Sequence, residues 1–245
     1  GEDAPARKGP SKLLGAPVNT AIAGGAILPQ NMLLTVLNWS LRDRTSQVHG
    51  SKVDNGNTPD IFTQIWLLKI RYGLFDRLEI NTVVPYVSNH REDLTPEYIE
   101  GLGDISAGAS LAVLSERAGD PLWLTLSGAL LLPTGQYGKS HLPGNGAFGG
   151  RAVLSLSKML TPNIKTDMDF AVSGPFERGN QKVKRGNEYQ WNAQVRYLFE
   201  NVPFDIGLES VLTKTESSDK RLPTGDHINT YSGTTEWVVG PSINL

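Results

Sequence analysis

The chain has 245 residues, enough for one large β domain or two ordinary domains. Its formal net charge is −2 with 20% charged residues, and without a basic tract this balance gives no reason to expect nucleic acid as a partner. The lack of cysteine excludes disulfides, thiol nucleophiles and thiolate metal sites. No apolar run reaches the roughly 18 residues of a membrane-spanning helix, so insertion into a membrane would require a β-barrel.

The N-terminal residues differ from the rest of the chain. Residues 1–12 are polar and contain proline, whereas residues 13–28 form a weakly apolar string, rich in Ala and Gly, without a sustained period. A disordered N-terminus and a segment folded into a barrel lumen are both open interpretations. The apolar residues favour the lumen because they suit a solvated tail poorly. We therefore predict a periplasmic or lumen-inserted segment, 1–28, and a barrel, 29–245. The plug candidates are Ala21, Ile22, Ile27 and Leu28.

Alternating apolar and polar residues dominate the remaining chain, which is the period of a β-strand with two different faces. About ten such segments occur, each roughly 10 to 15 residues long, whereas a common soluble strand has about 5 to 6. The apolar face of such a strand would contact only apolar surroundings, and the polar face only polar surroundings. The predicted strands are 31–45, 60–74, 77–89, 102–115, 121–134, 148–160, 163–174, 187–200, 203–215 and 229–244.

The segment 188–200 shows this pattern most clearly. Its odd positions from Tyr189 to Phe199 are apolar or aromatic, and its even positions are polar except for Leu198. The two end aromatics lie ten residues apart, which at about 3.3 Å per residue and a tilt near 45° is roughly 23 Å along a membrane normal. An outer-membrane barrel has an apolar band of this height between two aromatic girdles.

Short and long connections alternate along the chain. Short turns fall near 75–77, 161–163 and 201–202, with a slightly longer one at 116–120. This alternation predicts a transmembrane antiparallel up-and-down β-barrel with tight periplasmic turns, long external loops and both termini in the periplasm. A soluble sandwich or a lipocalin-like barrel is the alternative. The predicted long loops are 46–59, 90–101, 135–147, 175–186 and 216–228.

If the apolar faces contact lipid, the opposite faces line the lumen. Acidic and basic residues occur there in comparable number, so each either belongs to an ion-pair network that braces the wall or lines a route for permeants. Inward apolar residues are explained equally well by packing in a narrow barrel and by a path for apolar molecules. The permeation candidates are Lys69, Arg71, Glu79, Asp104, Trp123, Arg151, Lys165, Asp167, Asp169, Glu188, Gln190, Asn192, Gln194, Arg196, Leu198 and Glu209.

Three local sequences carry a family resemblance. They are LEINTVVPY at 78–86, GLGDISAGA at 101–109, and LLLPTG at 130–135. In this order they resemble the bacterial outer-membrane channels associated with meta-pathway phenol degradation, and the middle motif is the most specific. Strand-like segments on both sides extend the resemblance over 30–245. The resemblance implies an outer-membrane barrel of about twelve strands that takes up small hydrophobic or aromatic compounds.

Enzymatic readings have little support. An omptin-like membrane protease is the nearest one, because Asp226-His227 with Glu92-Asp93 could imitate the Asp and His at its external rim. Adjacent residues point apart on a strand, however, so Asp226 and His227 make a poor dyad. All histidines fall in predicted external loops, where none stands beside a fixed serine: His49, His90, His141 and His227.

The sequence therefore predicts a non-enzymatic outer-membrane channel for passive uptake of small, hydrophobic or aromatic molecules, with a lumen restricted by the N-terminal segment. A structural or adhesive barrel with a closed lumen and partner-binding external loops is the alternative. The expected surroundings are outer-membrane lipid and small hydrophobic or aromatic solutes, and a monomer is favoured. Neither a metal nor a cofactor is expected, because the scattered histidines lack ligand spacing.

Overall fold

The structure, a computed structural model, describes residues 25–44, 47–49, 52–54, 61–91, 98–135, 146–177, 183–184, 186–200, 202, 205–221, 227–231 and 233–244. No helix among them is long and apolar enough to cross a membrane. The described residues contain one short 3₁₀ helix, Glu116–Ala118, and these strands: β1 Leu33–Arg44, β2 Gln47–His49, β3 Lys52–Asp54, β4 Ile61–Phe75, β5 Leu78–Arg91, β6 Tyr98–Leu102, β7 Ile105–Leu114, β8 Trp123–Leu132, β9 Gly149–Thr161, β10 Ile164–Pro175, β11 Val183–Lys184, β12 Glu188–Leu198, β13 Asp205–Thr215, β14 Ser218–Arg221, β15 His227–Tyr231 and β16 Thr234–Asn244.

Ten of the described strands form one continuous antiparallel sheet. Their order is β1-β4-β5-β7-β8-β9-β10-β12-β13-β16, and β6 pairs with β5 beside this path. Within the described residues no ladder joins β1 to β16, the two ends of the path. Strands that follow one another along the path are neighbours, which is the up-and-down connectivity predicted from the sequence.

The two faces of this sheet have inverted polarity. Large apolar side chains such as Leu37, Leu130, Val195 and Trp237 are more than half exposed. The opposite face buries charged and polar side chains, among them Arg196 at 2% exposure. A soluble protein would bury the apolar face instead, so the exterior is built for lipid and the interior for polar contacts. The predicted fold class, an all-β transmembrane antiparallel barrel, is confirmed.

Contacts across the interior show how strongly the sheet curls. Strands β4 and β9 are four steps apart in the order, which on a flat sheet is about 19 Å at roughly 4.8 Å per strand. Gly25 nevertheless bonds to Ser157 on β9 while its neighbour Ala26 bonds to Arg71 on β4. Two consecutive residues bridge the two strands only because the sheet bends around them.

The barrel has two distinct ends. The short-turn end carries the connections after β4, β7, β9 and β12, and the long-loop end carries the others. On the outer surface Tyr197 meets Phe199 edge-on at 4.9 Å near the short-turn end. Nearer the long-loop end, Trp66 packs on Tyr86 and Trp191 stacks on Phe170. Outward aromatics at both heights match the two girdles expected at membrane interfaces.

The strands agree closely with the predicted ones, with three local differences. The predicted segment 102–115 is interrupted between β6 and β7, and the predicted segment 229–244 is divided between β15 and β16. His90 lies within β5, although a loop was predicted there. Two of the connections predicted as long loops contain short strands, which pair as β2 with β3 and β14 with β15.

The interruption between β6 and β7 brings the three family motifs together. The Gly103 N–H donates to the carbonyl of Pro85 at 2.9 Å, where proline has no N–H for the ladder. The Asp104 carboxylate accepts from the Gly135 N–H at 3.1 Å. Thr134 Oγ1 accepts from the Ile105 N–H at 2.9 Å. The three motifs therefore build one junction in the barrel wall.

Candidate functional site in the lumen

Residues 25–28 lie inside the barrel at its short-turn end. Ile27 and Leu28 are 2% and 0% exposed, and Ala26 is also buried. Ala26 and Ile27 form an apolar cluster with Ala112 and Trp123 from the inner faces of β7 and β8. The plug candidates Ile27 and Leu28 are thus enclosed by the wall, whereas Ala21 and Ile22 lie outside the described residues.

Side chains of the wall bind the backbone of this segment directly. The Gly25 N–H donates to Ser157 Oγ at 2.6 Å, and Thr125 Oγ1 donates to the Gly25 carbonyl at 2.5 Å. The Leu28 N–H donates to Glu79 Oε2 at 3.0 Å. These bonds satisfy backbone groups that would otherwise be buried without partners.

Two arginines complete the binding of residues 25–28. Arg71 Nη2 donates to the Ala26 carbonyl at 3.1 Å and forms a two-point ion pair with Glu79 at 2.6 and 2.8 Å. Arg117 Nη2 donates to the Ile27 carbonyl at 3.0 Å. Arg117 lies on the 3₁₀ helix, with its guanidinium 5.2 Å from the centre of the Trp123 ring. Burial lowers the pKa of Arg117, although an arginine remains charged at physiological pH.

Close backbone approach requires glycine at two points. A Cβ on Gly25 would lie 2.9 Å from the Ser157 nitrogen and 3.1 Å from the Trp123 Cβ. A Cβ on Gly73 would lie 1.9 Å from the Pro29 carbonyl oxygen, where the chain leaves the lumen toward β1. The close contact between residues 25–29 and the wall therefore requires glycine at positions 25 and 73 as well as the hydrogen bonds.

The Asp167 cluster lies beside residues 25–28. We define it as Asp167 with the residues joined to it in a chain of contacts: Ser157, Lys165, Arg196 and Asp205. Lys165 Nζ lies 2.9 Å from Asp167 Oδ1, and Arg196 bridges Asp167 at 3.3 Å and Asp205 at 3.5 Å. Ser157 donates to Asp167 while it accepts from the Gly25 N–H. The charges of the cluster are at most 5% exposed, so it is a closed ion network.

The middle of the β10 to β13 wall is also closed to water. Asp169 and Asn192 are each 0% exposed, and Gln194 is 2% exposed. Gln194 Nε2 donates to Glu209, its cross-strand partner. The bond from Gln194 to Glu209 joins neighbouring strands, which is what the bracing interpretation would require.

Toward the long-loop end the inner surface is more accessible. Arg151 Nη2 donates to Gln190 Oε1 at 2.8 Å, and Arg151, Gln190 and Glu188 are all half-buried. Asp104 is half-buried at the β6 to β7 interruption. Lys69 is half-buried on β4. These five residues keep some exposure, unlike the charges of the Asp167 cluster.

Two apolar candidates lie away from accessible space. Trp123 is 7% exposed because it packs on residues 26–27, and Leu198 is 3% exposed at the short-turn end. Sequence reasoning missed Thr125, Ser157 and Arg117 as contacts of the N-terminal segment. The alternation of β8 and β9 could have placed Thr125 and Ser157 inward, but nothing periodic marks Arg117, which lies in a turn.

A lipid-facing antiparallel wall around a polar lumen defines the class of outer-membrane β-barrels. The family model for the putative MetA-pathway of phenol degradation matches residues 42–245, and the chain belongs to this family. Among solved structures, the chain resembles an outer membrane channel from Pseudomonas putida F1 with a TM-score of 0.61 and 15% identity. That match covers 91% of this chain and 96% of the channel, and it supports the shared fold. No curated protein sequence matches.

Proposed function

We propose that the protein is an outer-membrane channel through which small hydrophobic or aromatic molecules diffuse passively, and that residues 25–28 restrict its lumen. The observation that carries this proposal is that residues 25–28 lie inside the short-turn end and are bound to the wall through their own backbone. Family membership and the channel fold of the solved relative support the same function.

We infer the orientation in the membrane from the lengths of the connections. Outer-membrane barrels place short turns in the periplasm and long loops outside. Residues 25–28 then close the periplasmic mouth, and the accessible half of the lumen faces the exterior. A solute from outside would enter the half lined by Lys69, Arg151 and Gln190 before it meets the segment.

The strength of the closure suits a removable obstruction. Each neutral hydrogen bond contributes about 0.5–1.5 kcal/mol net, and bonds to charged groups about 1.5–3 kcal/mol. The bonds to residues 25–28 together with burial of Ile27 and Leu28 hold the closed state, whereas the wall is held by continuous ladders. Loss of a few of these contacts would therefore open the mouth without unfolding the barrel. No chemical step is involved.

The test compares two arginines at the same end of the barrel. Arg117→Ala removes the bond to the Ile27 carbonyl and the contact with Trp123, so we expect a higher single-channel conductance in planar bilayers. Arg77→Ala is the matched control because Arg77 contacts Asp120 and Val113, and no bond joins it to residues 25–28 among the described contacts. Deletion of residues 1–28 should give the largest increase.

The outcomes separate channel function from the alternatives. Conductance that is unchanged by both Arg117→Ala and the deletion would refute the restriction by residues 25–28. Liposomes that show no solute flux with the wild-type or the deletion variant would instead favour a closed structural or adhesive barrel.

A further inference from the structure

Lys69 has an unusual setting on the inner face of β4. Its cross-strand partner on β1 is Val36, and its partner on β5 is Val83. Leu67 precedes it on the same inner face, two residues along the strand. We call these four residues the Lys69 patch. It combines one primary amine with three aliphatic side chains, and all four are half-buried rather than sealed.

The other cations described in the lumen all have a close polar partner. Arg71 pairs with Glu79, and Arg196 and Lys165 pair with Asp167. Arg151 donates to the side-chain oxygen of Gln190. Lys69, in contrast, forms no hydrogen bond or ion pair with a described residue. A bracing role of the kind seen for the other cations therefore does not account for Lys69.

The charges that face Lys69 favour an anion beside it. Arg71, Arg151 and Asp169 are the groups within electrostatic range. Arg71 is neutralised locally by its two-point pair with Glu79. Arg151 has two carboxylates within electrostatic range, Glu188 and Asp169. No carboxylate of a described residue lies within ion-pair distance of Lys69, so its amine keeps donors for an incoming anion.

We propose that the Lys69 patch is a lumen subsite for small aromatic carboxylates, with the carboxylate on the Lys69 amine and the ring against Val36, Leu67 and Val83. This inference rests on the proposed channel function and narrows its substrate class to acidic aromatic molecules. Lysine offers three donors on a flexible stem, which suits a carboxylate that arrives in varied orientations.

Weak binding is what such a subsite requires. A permeant must bind well enough to enter and loosely enough to leave. Lys69 is half-buried, so water can partly screen a charge pair formed there. The aliphatic neighbours add apolar contact for the ring but provide no second charge that would retain the carboxylate.

The test measures equilibrium binding to the purified full chain in detergent, so it does not depend on conductance. Benzoate is the probe with both ring and charge, benzamide has the ring alone, and acetate has the charge alone. We expect benzoate to bind most tightly in calorimetric titrations. Lys69→Met should weaken benzoate about threefold to tenfold, as loss of a partly screened charged bond implies, and should leave benzamide unchanged.

Two further variants and the possible outcomes complete the test. Lys69→Arg should retain benzoate binding, and Lys214→Met is the matched control because Lys214 is exposed on the outer surface of β13. Absence of saturable benzoate binding to the wild-type, or equal benzoate affinity in wild-type and Lys69→Met, would overturn the subsite. Benzoate binding that depends on Lys69 in a protein without solute flux would support the subsite while refuting the channel.

Discussion

The Asp167 cluster and the Lys69 patch show that two groups of lumen charges in one barrel have different surroundings. In the cluster every charge has an opposite partner and almost no contact with water. In the patch a single half-buried cation lies between valines on the neighbouring strands. The lumen therefore contains charges that are paired and buried and, at Lys69, a charge without a paired carboxylate among the described residues.

The largest expected effect on this comparison comes from Asp167→Asn. The substitution removes the negative charge between two buried cations, Lys165 and Arg196. Breaking a buried pair from one side costs about 3–5 kcal/mol, so the barrel should unfold at clearly lower urea concentration. Lys69→Met should shift the free energy of unfolding by less than about 1 kcal/mol, because a partly exposed charge that is not paired with a described residue contributes little.

Asp120→Asn controls for loss of a carboxylate at the short-turn end. Asp120 is partly exposed and lies 3.7 Å from Arg77. If Asp167→Asn and Asp120→Asn unfold at the same urea concentration, the cluster does not brace the wall and the contrast with the patch fails.

A second prediction tests the inward and outward assignment on which the comparison depends. Val195 is 53% exposed on the outer face of β12, so Val195→Arg would place a charge in hydrocarbon at a cost of about 2–4 kcal/mol near the midplane. Gln194 faces inward opposite Glu209, and an arginine there gains a carboxylate partner. Folding yield into lipid vesicles should fall much further for Val195→Arg.

Equal folding yields for the two arginine variants would contradict the assigned faces. Val195→Leu is the control for a change of size at the same outward position, and it should fold as the wild-type does. A loss with Val195→Leu would point to packing instead of charge.

Much of the fold could be predicted because apolar and polar side chains alternate along each strand, and this alternation can be read from the sequence one residue at a time. Alternation alone located the main strands and the polar faces, including the even positions of 188–196. Most partners inside the lumen could not be predicted. Asp167 and Lys165 lie two residues apart on one strand, so their contact follows from the sequence, but Asp167 contacts Arg196 only because of the register between β10 and β12. The contact between Arg117 and Ile27 is still harder to predict from the sequence, since it depends on the curl of the whole sheet. That Lys69 has no hydrogen-bond or ion-pair partner among the described residues depends on all its neighbours at once.

The smallest effect is expected from Thr125→Val, which changes one hydrogen bond between the wall and the N-terminal segment. Valine keeps the shape of threonine but leaves the Gly25 carbonyl without the 2.5 Å bond from Thr125. Loss of such a bond costs about 1 kcal/mol, which corresponds to roughly a fivefold shift between closed and open states. Single-channel recordings should show a higher open probability. Thr125→Ser retains the hydroxyl and should match the wild-type. If the Ser variant instead opens as often as the Val variant, the effect comes from packing, and the hydrogen bond from residue 125 does not hold the mouth closed.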